Sequence, residues 1–298
     1  MRPAELLALL ALGAVWGGSF FFIRVAVPDF GPVPLMAARV GLAALLLGGL
    51  LAGRRRPLAL RSHWRGLLVL GAANAALPFV LIAVAELHIT ASLASILNAA
   101  QPSFAALIGW YGFGERLTVG QRWGLILGAV SVAVLVGWSP LPGTFEVGLA
   151  VAAMMAAAAL YAWAGIYATR SLSDVPRPTL VFGQQAAASV WLAIPGVAGA
   201  PSTLPSAEAT WALLGLVVLS TVVAYSLYFY LLERVGPTRT YTVTYIIPVF
   251  GVIWGWWLLD EPVTAGMLAG AVGIGVSLVL VNRIGVGRGA RGRTGRPA

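Results

Sequence analysis

Two stripes of hydroxyl, amide and phenol groups interrupt a chain that is otherwise apolar. One carries Ser95, Asn98, Gln101 and Pro102 at helical spacing; the other carries Thr238, Tyr241, Thr244, Tyr245 and Pro248. A shift of 146 residues puts Ser95 on Tyr241, Asn98 on Thr244 and Pro102 on Pro248. The same shift puts Asn74 on Ser220, with Pro78 following the first and Tyr225 and Tyr228 the second. Trp16, Ser19 and Phe20 add an aromatic and polar group near the start, and Tyr161, Trp163 and Tyr167 add another at mid-chain. These side chains stack and hydrogen-bond; they do not attack, ionise or ligate. The chemistry they offer is non-covalent recognition of an apolar solute with a small polar head. A phosphate-bearing solute would call for several inward basic residues. Singly, each polar residue serves equally well as hydrogen-bond glue between helices; the matched set favours a cavity.

Charged candidates are few. Arg39 is the clear charge inside an apolar run, with no acid at helical spacing. Two roles are open to it: binding a substrate carboxylate, or holding backbone carbonyls at a helix end. The structural role is favoured, because its repeat counterpart at a shift of 145 is Gln184. Arg24 is expected to snorkel. No Asp or Glu falls mid-run, so the buried carboxylate of a proton relay is missing; Glu86 and His88 form the one local pair that could gate or couple. Glu115 and Glu261 are expected to cap the helices that follow them. No cysteine is present and histidine occurs only at His63 and His88, which excludes disulfides, thiolate chemistry and most zinc sites. With no acid–base or nucleophile constellation in the apolar runs, an enzyme is not expected, and neither a metal nor a cofactor is called for.

The elements that must position these groups follow from composition. Of 298 residues, 59% are hydrophobic and 10% charged, against roughly 25% charged in a soluble domain. Lipid is therefore the solvent. Continuous apolar runs of about 20 residues fit membrane helices rather than strands. They fall near 5–26, 33–52, 66–85, 90–111, 119–138, 147–169, 178–198, 210–231, 238–258 and 264–282. The first is expected to be a retained helix rather than a cleaved signal. With the N-terminus inside, seventeen of the nineteen arginines fall in inside segments, leaving Arg24 and Arg39 within or beside spans. The positive-inside rule thus predicts ten helices with both ends cytoplasmic. The net charge of +9 reflects that bias rather than nucleic-acid binding.

The two halves are related. Between 102 and 131, ten of thirty residues recur 146 positions later, including Pro102/Pro248, Gly109-Trp110/Gly255-Trp256 and Glu115/Glu261. Five helices per unit is odd, so the second copy must enter the membrane from the opposite side, an architecture recurrent in transporters. The expected organisation is a five-helix repeat over 1–140, an inverted repeat over 141–283 and a basic disordered tail over 284–298. Gly120, Gly124, Gly266 and Gly270 are spaced for close helix packing in the last helix of each unit.

The paired Pro-x12-Glu patterns, the glycine-rich closing helices, Trp16-Gly17-Gly18-Ser19-Phe20 and Arg39 together resemble the drug/metabolite transporter superfamily in its EamA-type form. Within it the chain is similar to YddG-type exporters of aromatic and other neutral amino acids. The resemblance implies an all-α membrane fold of ten helices in a bacterial inner membrane, with a central cavity lined mostly by helices 1, 3, 4, 6, 8 and 9. It implies export of neutral or aromatic amino acids, or similar metabolites, by alternating access; the missing mid-span acid points to a facilitative process. Drugs, purines or other metabolites are the alternative cargo, and a channel or scaffold is the alternative class. The expected partners are a small-molecule solute and the lipid bilayer, with no nucleic acid, and the chain is expected to act as a monomer.

Overall fold

The computed structural model describes residues 1–53, 60–138 and 143–282, apart from the side chains of Thr238 and Asn282. The expected tail over 284–298 and the arginines Arg54, Arg55 and Arg56 lie outside the described residues. Within them the chain is helical throughout, and eight helices are long and apolar enough to cross a membrane. They are α1 (Pro3–Phe30), α2 (Pro32–Ala52), α3 (Leu60–Ala85), α4 (Ala91–Phe113), α5 (Val119–Gly137), α6 (Phe145–Ser171), α7 (Arg177–Ala198) and α8 (Ala207–Pro237). Two shorter apolar helices follow, α9 (Val243–Leu259) and α10 (Ala265–Val281).

Local sequence sets the starts. Thr118 caps α5 in a reciprocal box with Gln121, and Thr144, Ser206 and Thr264 accept from the third backbone amide of their helices. These assignments correct the expected caps. Glu115 and Glu261 do not cap α5 and α10, because threonines three residues further on already satisfy those helix starts.

The duplication is visible in backbone detail. α3 carries a π-helical turn over Ala72–Ala76 and α8 carries one over Val218–Val223, 146 positions apart. Gly114 (φ 67°) ends α4 and Asp260 (φ 53°) ends α9, both left-handed and again 146 apart. Glycine adopts that conformation without penalty, and aspartate is among the few residues that tolerate it. The packing obeys the same exchange. Swapping α1–α5 for α6–α10 converts the α1–α9 contact into α6–α4, α1–α8 into α6–α3 and α2–α8 into α7–α3. The pairs α2–α7, α4–α9 and α5–α10 map onto themselves.

Three glycine-lined seams hold the bundle. A Cβ on Gly17 of α1 would lie 2.7 Å from the Ile247 carbonyl oxygen and 2.9 Å from the Gly251 nitrogen of α9. On Gly71 of α3 it would lie 2.6 Å from Ala187 Cβ of α7. In the α5–α10 seam, Gly270 faces Leu135 at 2.6 Å, Gly124 faces Val281 at 2.9 Å, and Gly266 meets Trp138. Gly120 is half-buried on the same helix as Gly124. Ser277 fastens that seam by donating to the Gly124 carbonyl at 2.6 Å.

The close approach of α1 and α9 gives a direct test. Gly17→Ala should lower the thermal unfolding midpoint in detergent by an amount corresponding to about 1–3 kcal/mol of overpacking. Gly165→Ala, whose added methyl meets nothing within 4 Å, should leave the midpoint unchanged or raise it slightly through helix propensity.

Candidate functional site

At mid-bundle the polar residues join into one chain. Asn74, in the π turn of α3, donates to Gln184 Oε1 of α7 at 2.8 Å. Gln184 Nε2 in turn donates to the Tyr225 hydroxyl of α8 at 2.7 Å. Tyr225 meets Trp16 of α1 edge-on at 6.2 Å, and Tyr228 lies 5.6 Å from the same indole. On the other side of α3, Phe79 lies 6.4 Å from the Tyr161 ring of α6. The Arg39 guanidinium of α2 covers the face of Phe79 at 4.0 Å, and both Tyr161 and Tyr225 lie within electrostatic reach of it. A π turn widens the helix by one residue and redirects the side chains on it. That is how an alanine-rich segment comes to aim Asn74 at α7.

Several of the expected site residues join this cluster: Trp16, Asn74, Tyr161, Tyr225 and Tyr228, with Pro78 buried just beyond the π turn. Tyr241 lies against Tyr228 and is about half exposed. Others are spent on helix contacts. Ser19 bonds back to the Trp16 carbonyl of its own helix, and Thr244 to the Tyr241 carbonyl in the turn before α9. Ser220 donates to the Val15 carbonyl of α1, and Tyr245 donates to the Leu278 carbonyl of α10. Gln101 donates to Asn98 at 3.0 Å, both on α4. Trp163 and Tyr167 stack at 5.1 Å, and Tyr167 belongs to a depression at the arginine-rich end with Ser62, His63 and Arg65. There His63 meets Asp174 at 2.9 Å, and this hydrogen bond holds the Asp174 carboxyl below the usual carboxylate range. Sequence reasoning missed Phe79 and the linking role of Gln184. It also missed Gln185, whose buried amide has no partner, and Trp254, which donates to the Ala14 carbonyl of α1 at 2.9 Å.

Glu86 and His88 do not pair. The turn after α3 buries Glu86 completely and leaves His88 exposed, facing Glu146. Neither Glu86 carboxylate oxygen has a hydrogen-bond partner; its backbone carbonyl accepts from Arg24.

The seam between α4 and α9 differs at its two ends. The first half of α4, Ala91–Asn98, packs along α9, whereas the second half, Gln101–Phe113, packs on α6 and α10. Gly251 and Gly255 of α9 admit Ser95 and Ser92 of α4 at the packed end. Glu261 closes that end: it accepts from the Ala91 amide at 2.8 Å, the Ser92 amide at 2.9 Å and the Ser92 hydroxyl at 2.5 Å. Its repeat counterpart Glu115 sits over Gly109 just as Glu261 sits over Gly255. Glu115 holds no helix start, however; it is exposed and meets Arg170 at 3.7 Å.

An all-helical chain of membrane-length apolar helices, duplicated in sequence, backbone detail and packing, is a polytopic membrane protein. It belongs to the EamA-like transporter family, which matches residues 3–137 and again 148–283. It is similar to a "Probable amino-acid metabolite efflux pump" of Escherichia coli (strain K12), 29% identical over 91% of this chain and 92% of that protein. It is also similar to an "Uncharacterized transporter YvbV" of Bacillus subtilis (strain 168), 27% identical over 94% and 92% of the two chains. A "Probable terminal-alkyne amino-acid exporter" of Streptantibioticus cattleyicolor is 27% identical over 94% of each. One solved crystal structure shares the fold, with a TM-score of 0.64 at 18% identity, over 95% of this chain and 98% of that one. The chain is thus a multi-pass membrane transporter.

Gln184 carries the polar chain, so its loss should be felt at both ends. Gln184→Leu leaves Asn74 and Tyr225 unpaired and should cost about 1–3 kcal/mol, read as a lower unfolding midpoint in detergent. Tyr225→Phe removes one acceptor and should cost less than Gln184→Leu.

Proposed function

We propose that this protein is a ten-span secondary carrier of the bacterial inner membrane, exporting neutral and aromatic amino acids or similar metabolites. Its two inverted five-helix units, 1–140 and 141–283, rock about the mid-bundle cluster, with both chain ends cytoplasmic. The carrying observation is the unequal α4–α9 seam. One end is packed and latched by Glu261; at the other, the second half of α4 diverges from α9 and Glu115 holds no helix start. Two like units with one latch engaged and its counterpart free make one half of an alternating-access cycle. In the opposite half, Glu115 takes the start of the helix at Thr238, the sequence counterpart of Ser92, and Glu261 lets go. The latched end also argues against a channel, which needs a continuous path.

The orientation rests on the charges. Arg2, Arg234 and Arg239 gather in one depression, while Asp29, Glu86 and Glu261 lie at the opposite end of the helices. The positive-inside rule makes the arginine-rich end cytoplasmic. The cargo reading draws on the aromatic cluster and on the amino-acid exporters among the relatives. No acid hydrogen-bonds within the mid-bundle cluster among the described residues, Glu86 reaching Arg39 only electrostatically, which supports facilitative transport.

The chain has no cysteine, so single cysteines report on it directly. Cysteines placed at Gly114 and Asp260 should label from opposite faces of the membrane; labelling from one face would end the inverted arrangement. With Glu261→Ala, a cysteine at Ser95 should become several-fold more reactive to an impermeant thiol reagent added outside. In proteoliposomes, saturable counterflow of neutral amino acids is expected. A pH gradient that alone drives uphill accumulation, and fails to in Glu86→Gln, would replace the facilitative mechanism with proton coupling.

A further inference from the structure

Arg39 is a buried charge that no ion pair answers among the described residues. It is 5% exposed and sits about 10 Å into α2, seven residues from Pro32 at 1.5 Å per residue. Its Nε is sealed without an acceptor, and among the described residues no hydrogen bond engages its Nη groups. Among the described residues no carboxylate comes within ion-pair distance of it, the ion pairs there being His63–Asp174 and Arg170–Glu115. Glu86 is not the missing partner. Its carboxyl lies within electrostatic reach of the guanidinium, but no ion pair or hydrogen bond joins the two among the described residues. A backbone role fares no better, since among the described residues no carbonyl accepts from the guanidinium. A buried cation in lipid with no counter-ion is costly unless something completes it.

The surroundings specify what would do so. One face of the guanidinium is taken by the Phe79 ring, leaving the planar fork of terminal nitrogens, which matches a carboxylate in two parallel hydrogen bonds. The groups that reach it electrostatically are the neutral Tyr161 and Tyr225 phenols and, more weakly, the buried carboxyl of Glu86; Gln184, its counterpart on the equivalent helix, is already satisfied by Asn74 and Tyr225. Aromatic walls therefore flank a single cation with vacant donors. We infer that Arg39 is the carboxylate anchor of the transported solute, holding a monocarboxylate whose apolar or aromatic body lies against Phe79, Tyr161 and Trp16. This inference rests on the carrier function proposed above and names the cargo class, replacing the structural role that the sequence favoured for Arg39.

The test compares acids with their matched amides. Purified protein in detergent is titrated with phenylalanine, leucine and hydrocinnamate, and with their carboxamides, using the shift in unfolding temperature to obtain apparent affinities. Counterflow of the same compounds is measured in proteoliposomes. The wild type should prefer each acid at least ten-fold over its amide. Arg39→Gln should erase that preference and raise the KM for the acids at least ten-fold. Arg39→Lys keeps the charge but loses the fork, and should reduce the preference several-fold; it serves where Arg39→Gln does not fold. Equal affinity for acids and amides in the wild type, or an undiminished preference in either variant, overturns the anchor even if transport persists. Acid-selective binding that depends on Arg39 without any counterflow upholds the anchor and removes the carrier mechanism instead.

Discussion

The start of α4 is held by a carboxylate from the other half of the chain. A helix leaves its first amides unsatisfied, and in lipid no water is available to take them. Thr90 takes the Leu93 amide and Glu261 takes those of Ala91 and Ser92. The favourable sense of the helix dipole adds to the attraction. The carboxylate can reach only because Gly255 lacks a side chain where Ser92 and Glu261 meet. One end of the seam between the repeats is thereby fixed. The difference in packing between the two ends of this seam follows from this contact and from Glu115, its counterpart, which meets Arg170 instead.

The mid-bundle cluster obeys the same accounting of polar groups. Gln184 would be a liability on an apolar helix, yet Asn74 and Tyr225 take its oxygen and its nitrogen. Ser19, Thr244 and Ser220 are satisfied by backbone carbonyls. Against that background, the buried groups without partners stand apart: Arg39 Nε, the Glu86 carboxylate and the Gln185 amide. In a bundle that completes most of its hydrogen bonds, the incomplete ones mark where a solute, a proton or a second conformation is to be accommodated.

Much of this was legible in the sequence because lipid imposes long, continuous apolar runs and duplication leaves a fixed offset. The helices begin and end within a few residues of the expected runs for most of the chain, although α3 starts at Leu60 rather than 66, α1 and α6 run longer, and α8 runs to Pro237 so that α9 starts at Val243 and leaves Thr238 and Tyr241 outside it. The π turns were not legible. Ala72–Ala76 and Val218–Val223 are unremarkable apolar segments, and the extra residue per turn is a response to packing against α7 and α2. Glu261 was assigned to the nearest helix, since sequence distance hides a partner 169 residues away. Glu86 and His88 were paired for the same reason, but a turn sends one into the bundle and the other out. The matched stripes were seen, yet spacing alone does not separate Tyr245, which bonds to α10, from Tyr225, which bonds to Gln184.

The repeats are alike but not equal, and the inequality has a direction. Arg39 lies seven residues from the start of α2, toward the end latched by Glu261; its counterpart Gln184 lies seven residues from the start of α7, toward the arginine-rich end. Two identical units would offer a solute the same site from either side. Replacing one member of the pair by a neutral amide removes that degeneracy. In the proposed carrier, a carboxylate entering from the arginine-rich end would meet neutral groups at Gln184 and Tyr225 first and the cation last. In the proposed cycle, exchange between the two repeat conformations and capture of a charge would therefore involve the same half of the bundle, since α2 begins at the end that Glu261 latches.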